Sequence, residues 1–200
     1  MEVIRGKTSQ SLDANGLRTR LENYERVFLD LGTGDGRYVR TLAEQHPEWF
    51  VIGVDACREN LHPSSRLGLP NALFIIANAR ALPQEFYGLI SHVAINFPWG
   101  SLLESLLTGD PVLMNGLAQI SKPHTKIDIR LNGGALAEAG SCLEAGTQTI
   151  FDHMNRYGWI TKHPYLMDNH ALQKFSTTWA KRLAYGRDPR AMAIHGNLAK

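Results

Sequence analysis

The sequence predicts an α/β fold, a mostly parallel sheet of seven strands with helices on both faces. Three observations carry this. Short apolar runs bounded by turn residues recur along the chain. Stretches of helical spacing lie between them, and β-α-β alternation implies crossover helices packed on a parallel sheet. The 200 residues are 44% hydrophobic and 20% charged, a globular balance that excludes wholesale disorder and coiled coil. This length suits one domain with its own core, so residues 1–200 are expected to form a single domain, with a basic segment from about 156 to 200.

The elements follow in order. Arg26 to Gly32 is predicted as a buried strand running into a Gly-rich turn. Gly36 to His46 is predicted as a helix, with Val39, Leu42 and Ala43 on one face. Phe50 to Asp55 is the second strand, and a helical or irregular stretch limited by Pro63 runs to Leu67. Ala72 to Ala77 is the third strand and Val93 to Phe97 the fourth. Ser101 to Ile120 has helical spacing, interrupted at Gly109-Asp-Pro111. Lys126 to Leu131 alternates as a fifth strand, and the Gly-rich stretches Asn132 to Gly134 and Gly140 to Gly146 are expected to be loops around a short helix. Trp159 to Met167, broken by Pro164, is expected to supply a strand, and Ala191 to His195 the last one. Between them, Asn169 to Ala184 carries Leu172, Phe175, Trp179 and Leu183 at helical spacing.

Several function classes are excluded early. The longest apolar runs are about six residues, well short of the roughly 20 that a membrane helix needs. The N-terminus shows no apolar signal region, and Cys57 and Cys142 form no disulfide framework, which points to a reducing cytoplasmic setting. The eight histidines form no metal signature, so no metal is expected.

The net charge of +2 hides an asymmetry. Residues 156–200 hold eight Lys and Arg against two acids, whereas residues 1–155 carry a charge of −4. A basic final quarter raises nucleic acid as a partner.

The sharpest motif is Asp30-Leu-Gly32-Thr33-Gly34-Asp-Gly36, at a strand-to-helix turn. Alternate glycines let the backbone turn tightly and approach a ligand. The dinucleotide fingerprint needs a third glycine where this chain has Arg37. The spacing fits instead the acidic Gly-rich loop of many S-adenosylmethionine methyltransferases. Asp30 is placed to receive the ammonium of the methionine end, and Asp55, closing the next strand, to accept hydrogen bonds from the ribose hydroxyls. Ala77-Asn78-Ala79 follows the third strand, with small residues where an adenine can lie against backbone. The fourth strand ends in Asn96-Phe97-Pro98-Trp99-Gly100, where ligands bind in open α/β sheets, so Trp99 is expected at the pocket mouth as a stacking surface for a planar acceptor. Trp179, followed by Lys181, Arg182 and Arg187, combines an aromatic with phosphate-binding charge.

Asp30 to Arg37, Phe97-Pro-Trp-Gly100, Ser101-Leu-Leu-Glu104 and Trp179 to Arg187 together resemble the aminoglycoside-resistance methyltransferases that modify N1 of the decoding-site adenine, adenine-1408, of 16S ribosomal RNA. The resemblance runs from about residue 1 to the C-terminus. It implies a class I S-adenosylmethionine-dependent (Rossmann-like) fold, S-adenosylmethionine as methyl donor with S-adenosylhomocysteine as product, and the small ribosomal subunit as partner; a target so large and rigid suits a monomer, although the sequence leaves the oligomeric state open. It implies that Trp99 and Trp179 clasp the target adenine. It places Gly32, Thr33, Gly34, Asp55, Asn78, Ala79, Asn96, Phe97, Pro98, Gly100, Ser101, Thr177 and Thr178 around cofactor and base, and Lys181, Arg182, Arg187 and Arg190 on the RNA. The chain departs from the family in three places: Arg58 to Leu73 carries no Lys-rich insertion, Asp188-Pro189 interrupts the basic run, and Arg80 stands where a relative has an acid. Fewer phosphate contacts predict weaker docking. On the residues alone, a small-molecule methyltransferase, a transfer-RNA methyltransferase and a cofactor-binding protein without catalysis remain alternatives.

Overall fold

A computed structural model describes residues 1–176 and 190–199. Its centre is the run β3 (Arg26–Leu31), β4 (Trp49–Asp55), β5 (Ala72–Ile76), β6 (Ile90–Asn96) and β7 (Ser121–Asn132). Neighbours within this run pair in parallel. β3 reads Arg-Val-Phe-Leu-Asp-Leu with every residue after Arg26 buried. Such strands lack apolar–polar alternation because both faces are covered. Val27, Leu29 and Leu31 enter the larger core with Ile52, Val54, Val93 and Ile95, while Phe28 enters a second core on the other face with Val51 and Ala94.

Helices cover both faces. The larger core takes residues from α1 (Ala14–Leu21), α4 (Gly100–Thr108), α5 (Pro111–Ile120), α6 (Gly133–Glu138) and α7 (Leu143–Arg156). The second takes Val39 and Ala43 of α2 (Arg37–Gln45) and Leu61 of α3 (Arg58–Ser65). The predicted break at Gly109-Asp-Pro111 is present: Gly109 closes α4 with φ +62°, and Asp110 caps α5 by accepting from the amide of Val112 at 2.8 Å.

The sheet is larger than the seven strands expected. Among the described residues it has ten strands. The seven predicted ones are β3 to β7 with β8 (Trp159–Thr161) and the antiparallel β10 (Ala191–Leu198). A polar hairpin, β1 (Glu2–Arg5) and β2 (Thr8–Ser11), adds an edge beyond β5, and β9 (Tyr165–Met167) pairs with β10. Among its strand residues only Val3 and Ile4 are buried, too little apolar pattern to mark a strand in sequence.

Two helical expectations are corrected. The Gly-rich stretch after β7 is not mainly loop: α6 and the 14-residue α7 occupy most of it. The helix expected over 169–184 is interrupted: α8 (Asn169–Lys174) stops at Phe175, which is extended with ψ 127°, and residues 177–184 lie outside the described residues. Among the described residues no helix is long and apolar enough to cross a membrane.

The strand order sets the place of the site. From β3 the chain steps outward to β4 and β5, then crosses back to β6 on the other side of β3. Ligands of open α/β sheets bind beyond the carboxyl ends of the strands at such a reversal.

Candidate active site

A cavity of about 430 Å³ opens at that reversal, within the usual 300–1,000 Å³ of small-molecule sites. Its floor is the loop after β3. Gly32, Gly34 and Gly36 all have positive φ, so three left-handed residues fold the loop over the strand ends. The amides of Gly32 and Thr33 both donate to the carbonyl of Val54 at 2.8 and 2.9 Å, which ties the loop to β4. At Gly36 a Cβ would stand 2.5 Å from Cε1 of Phe74, so the entry to α2 has no room for a side chain.

Two carboxylates stand on the floor. Asp55 accepts from the amides of Gly34 and Cys57, each at 2.8 Å, and faces the cavity from the end of β4. Asp30 is 1% exposed and accepts from Nδ2 of Asn96 at 2.8 Å. Burial pushes its carboxyl up to about 6. The neighbouring Thr33 side chain, whose hydroxyl makes no hydrogen bond of ordinary geometry, the Asn96 amide and the Arg130 charge oppose that rise, and Asp55 adds to it. A buried carboxylate at a cavity wall, held by a neutral amide, is chemically matched to a ligand cation.

The remaining walls come from three segments. Ala77, Asn78, Ala79 and Arg80 line the side beyond β5; Asn78 Oδ1 accepts from the amide of Arg80 at 2.8 Å, which shapes this loop. Arg80 reaches Asp110 at 2.8 Å. Asn96, Phe97, Pro98, Trp99 and Ser101 line the opposite side, with Leu102 and Ser105 of α4. Phe97 is buried and holds φ +52°, a conformation uncommon for non-glycine residues and one that stores strain at functional turns. Two residues on, Trp99 is 39% exposed, with its ring on the cavity wall.

The comparisons bear on a site with this geometry. A family profile described as NpmA: 16S rRNA (adenine(1408)-N(1))-methyltransferase matches residues 2–198. The chain belongs to this family. A 16S rRNA (adenine(1408)-N(1))-methyltransferase of Escherichia coli is 28% identical over the full length of both chains. One from Streptoalloteichus hindustanus is 32% identical over 82% of this chain and 83% of its own. The crystal structure of the 16S rRNA methyltransferase KamB superposes with a TM-score of 0.90 at 25% identity, covering all of both chains. Membership makes the chain an RNA methyltransferase, and its fold is the one expected.

The structure brings most of the expected site residues of this methyltransferase together. Asp30, Gly32, Thr33, Gly34, Asp55, Asn78, Ala79, Asn96, Phe97, Pro98, Trp99 and Ser101 share the cavity. Gly100, at the start of α4, does not line it. Asn96 lines the wall, but its amide is engaged on both sides: Nδ2 donates to Asp30 and Oδ1 accepts from Nη1 of Arg130, each at 2.8 Å. Arg190 directly precedes β10, its carbonyl accepts from the amide of Gly133 at 3.4 Å, and its side chain approaches Glu144 at 3.9 Å. Thr177, Thr178, Trp179, Lys181, Arg182 and Arg187 lie outside the described residues.

Sequence reasoning missed a polar cluster behind the site. Asp128 of β7 lies between His92 of β6 and His195 of β10, with His92 Nε2 at 2.8 Å. Burial raises the Asp128 carboxyl, but hydrogen bonds from both histidines and the Arg130 charge outweigh it and hold the group well below the ordinary carboxylate range. The available signal was Asp128 and Arg130 alternating with Ile127, Ile129 and Leu131, which puts charge on one face of this stretch of strand and apolar side chains on the other.

Proposed function

We propose that this chain transfers the methyl group of S-adenosylmethionine to N1 of adenine-1408 in the 16S rRNA of the small ribosomal subunit, the modification named for its relatives. The observation that carries the reading is one cavity with two fixed carboxylates on its floor and an exposed tryptophan in its wall. One domain, acting as a monomer in the cytoplasm, provides both the cofactor site and the RNA-facing surface.

The roles follow from placement. Asp30 takes the cofactor's ammonium, Asp55 its ribose hydroxyls, and the loop of Asn78 and Ala79 borders its adenine. When bound, the cofactor supplies an electrophilic methyl on a sulfonium. Adenine N1 attacks with an in-plane lone pair, so no proton need leave before the N–CH₃ bond forms. The donor would leave as a neutral thioether, so no residue of this chain is needed as a general base. The protein's task is alignment, which contributes on the order of 7 kcal/mol or more when geometry is good.

Flipping the adenine out of the RNA costs about a few kcal/mol, and stacking returns roughly 1–3 kcal/mol per aromatic contact. Trp99 provides one such face and Trp179 the other. Phe175 and Arg190, on either side of segment 177–189, stand at the carboxyl end of the parallel strands, since Phe175 packs on Phe97 and the Arg190 carbonyl accepts from the amide of Gly133, just past the end of β7. That supports Trp179 acting beside the cavity, and Lys181, Arg182, Arg187 and Arg190 contacting phosphates around it.

The test is methyl transfer from labelled donor to isolated small subunits, followed by primer extension. The expected outcome is incorporation with a reverse-transcriptase stop at adenine-1408, because N1 methylation blocks Watson–Crick pairing. Incorporation without that stop, or none at all with cofactor bound, would refute the reading. Aminoglycoside resistance of cells expressing the chain is the expected consequence.

A further inference from the structure

Arg130 lies in no motif that the sequence marks, yet it touches two parts of the site at once. Its side chain is 12% exposed. Nη1 donates to Oδ1 of Asn96 at 2.8 Å, and its guanidinium carbon lies 4.5 Å from the centroid of the Phe175 ring. Asp128 stands behind it, with Oδ2 at 3.7 Å from Nη2.

The first contact fixes Asn96 from the side opposite Asp30. An amide can present oxygen or nitrogen to a partner at nearly equal steric cost, and only the partners choose. Arg130 has only donors, so it takes the Asn96 oxygen and leaves the NH₂ for Asp30, which as a carboxylate only accepts. With Arg130 gone, Oδ1 of Asn96 loses its charged donor and only Asp30 still holds the amide, so the hold of Asn96 on the carboxylate loosens.

The second contact concerns the other half of the site. Phe175 stacks on Tyr38 at 4.8 Å and meets Phe97 edge-on at 6.0 Å. It stands two residues before Thr177 and four before Trp179. A flat guanidinium over its ring is a cation–π contact that an ammonium reproduces poorly in shape.

We propose that Arg130 is a positioning residue for methyl transfer, which orients Asn96 toward the cofactor's carboxylate partner and at the same time seats Phe175 at the root of the segment carrying the second tryptophan. The inference rests on the assignment of Asp30 to the cofactor. It is distinct from a fold-stabilising role, because the two contacts serve two separable steps.

Arg130→Met removes both contacts, and Arg130→Lys keeps the charge and a donor but loses the plane. Each is compared with wild type in three measurements: calorimetric affinity for S-adenosylhomocysteine, single-turnover methylation of small subunits at saturating donor, and thermal melting. The Met variant should bind about tenfold more weakly, as expected for a lost charge-assisted hydrogen bond, and react at least tenfold more slowly. The Lys variant should bind within about threefold of wild type, the level set by a retained charged donor, while still reacting about tenfold more slowly, the scale of a lost cation–π contact. Phe175→Leu should share that second behaviour. A folded Met variant with wild-type affinity and rate overturns the inference. So does a Lys variant whose affinity and rate fall together; should the Met variant not fold, this split alone decides. Wild-type protein that binds no S-adenosylhomocysteine overturns the assignment of Asp30 as well, which separates the two failures.

Discussion

Asp30 combines a cost in stability with the binding role proposed for it. Its carboxyl titrates near 6 in the fold against an ordinary 3.8, so the folded state holds the proton more tightly than the unfolded chain. The stabilisation from this group is therefore full below about pH 4 and lost as pH rises through about 6, a difference of about 3 kcal/mol. A cofactor ammonium needs the charged form. Affinity for S-adenosylhomocysteine should thus weaken about tenfold from pH 7 to pH 5, because a proton must first leave Asp30. In Asp30→Asn the pH dependence should vanish and affinity should be low throughout, while the melting temperature at pH 8 should rise. Calorimetry and thermal melts across pH check all three. Trp99→Ala should lower methylation of small subunits about 5- to 150-fold, since a stack of roughly 1–3 kcal/mol is lost, and leave cofactor affinity within about twofold of wild type. Full turnover in that variant would remove Trp99 from the base-stacking role. Asp30 and Trp99 were legible because each sits in a local motif at a strand end. Arg130 was not, since its partners Asn96, Asp128 and Phe175 reach it from three segments.

The elements show where local pattern suffices. α2 begins at Gly36, in the left-handed region and against Phe74 and Ser64. Gly36→Ala strains the backbone and forces a shift in the second core, so it should cost roughly 2–4 kcal/mol by denaturant melts. Strands β3 to β6 were read from continuous apolar runs, the mark of strands buried on both faces, and β7 from alternation over Lys126 to Leu131. The boundary between α4 and α5 was read from Gly109, Asp110 and Pro111, each with a capping role. α7 was missed because Gly146 and Thr147 weaken its local helical signal. Packing explains them: a Cβ on Gly146 would stand 2.5 Å from Cδ2 of Leu136, so the glycine permits the close approach of α6 and α7. That reason is invisible until the two helices are placed together. The β1–β2 hairpin was missed for a related cause, as most of its residues face outward and β5 supplies its partner edge.

For the molecule as a whole, charge distribution and topology act together. The basic final quarter should make binding to small subunits salt-dependent, with log K falling linearly in log salt. Arg190→Ala should reduce the magnitude of that slope by about one if it neutralises a phosphate, and leave cofactor affinity unchanged. A filter-binding series in salt reads both, and an unchanged slope would take Arg190 off the RNA. By itself the sequence determined the alternating architecture, the acidic glycine loop and the end of the chain where basic charge gathers, because each is written in neighbouring residues. The resemblance of three separate motifs named the chemistry. Only the tertiary structure decided that Asp30, Asp55, the Asn78 loop and Trp99 share one cavity, since that follows from the order in which strands cross the sheet. It also decided which way Asn96 faces and what holds it there. An amide's orientation belongs to its partners, and Arg130 lies 34 residues away in the chain and one strand away in space.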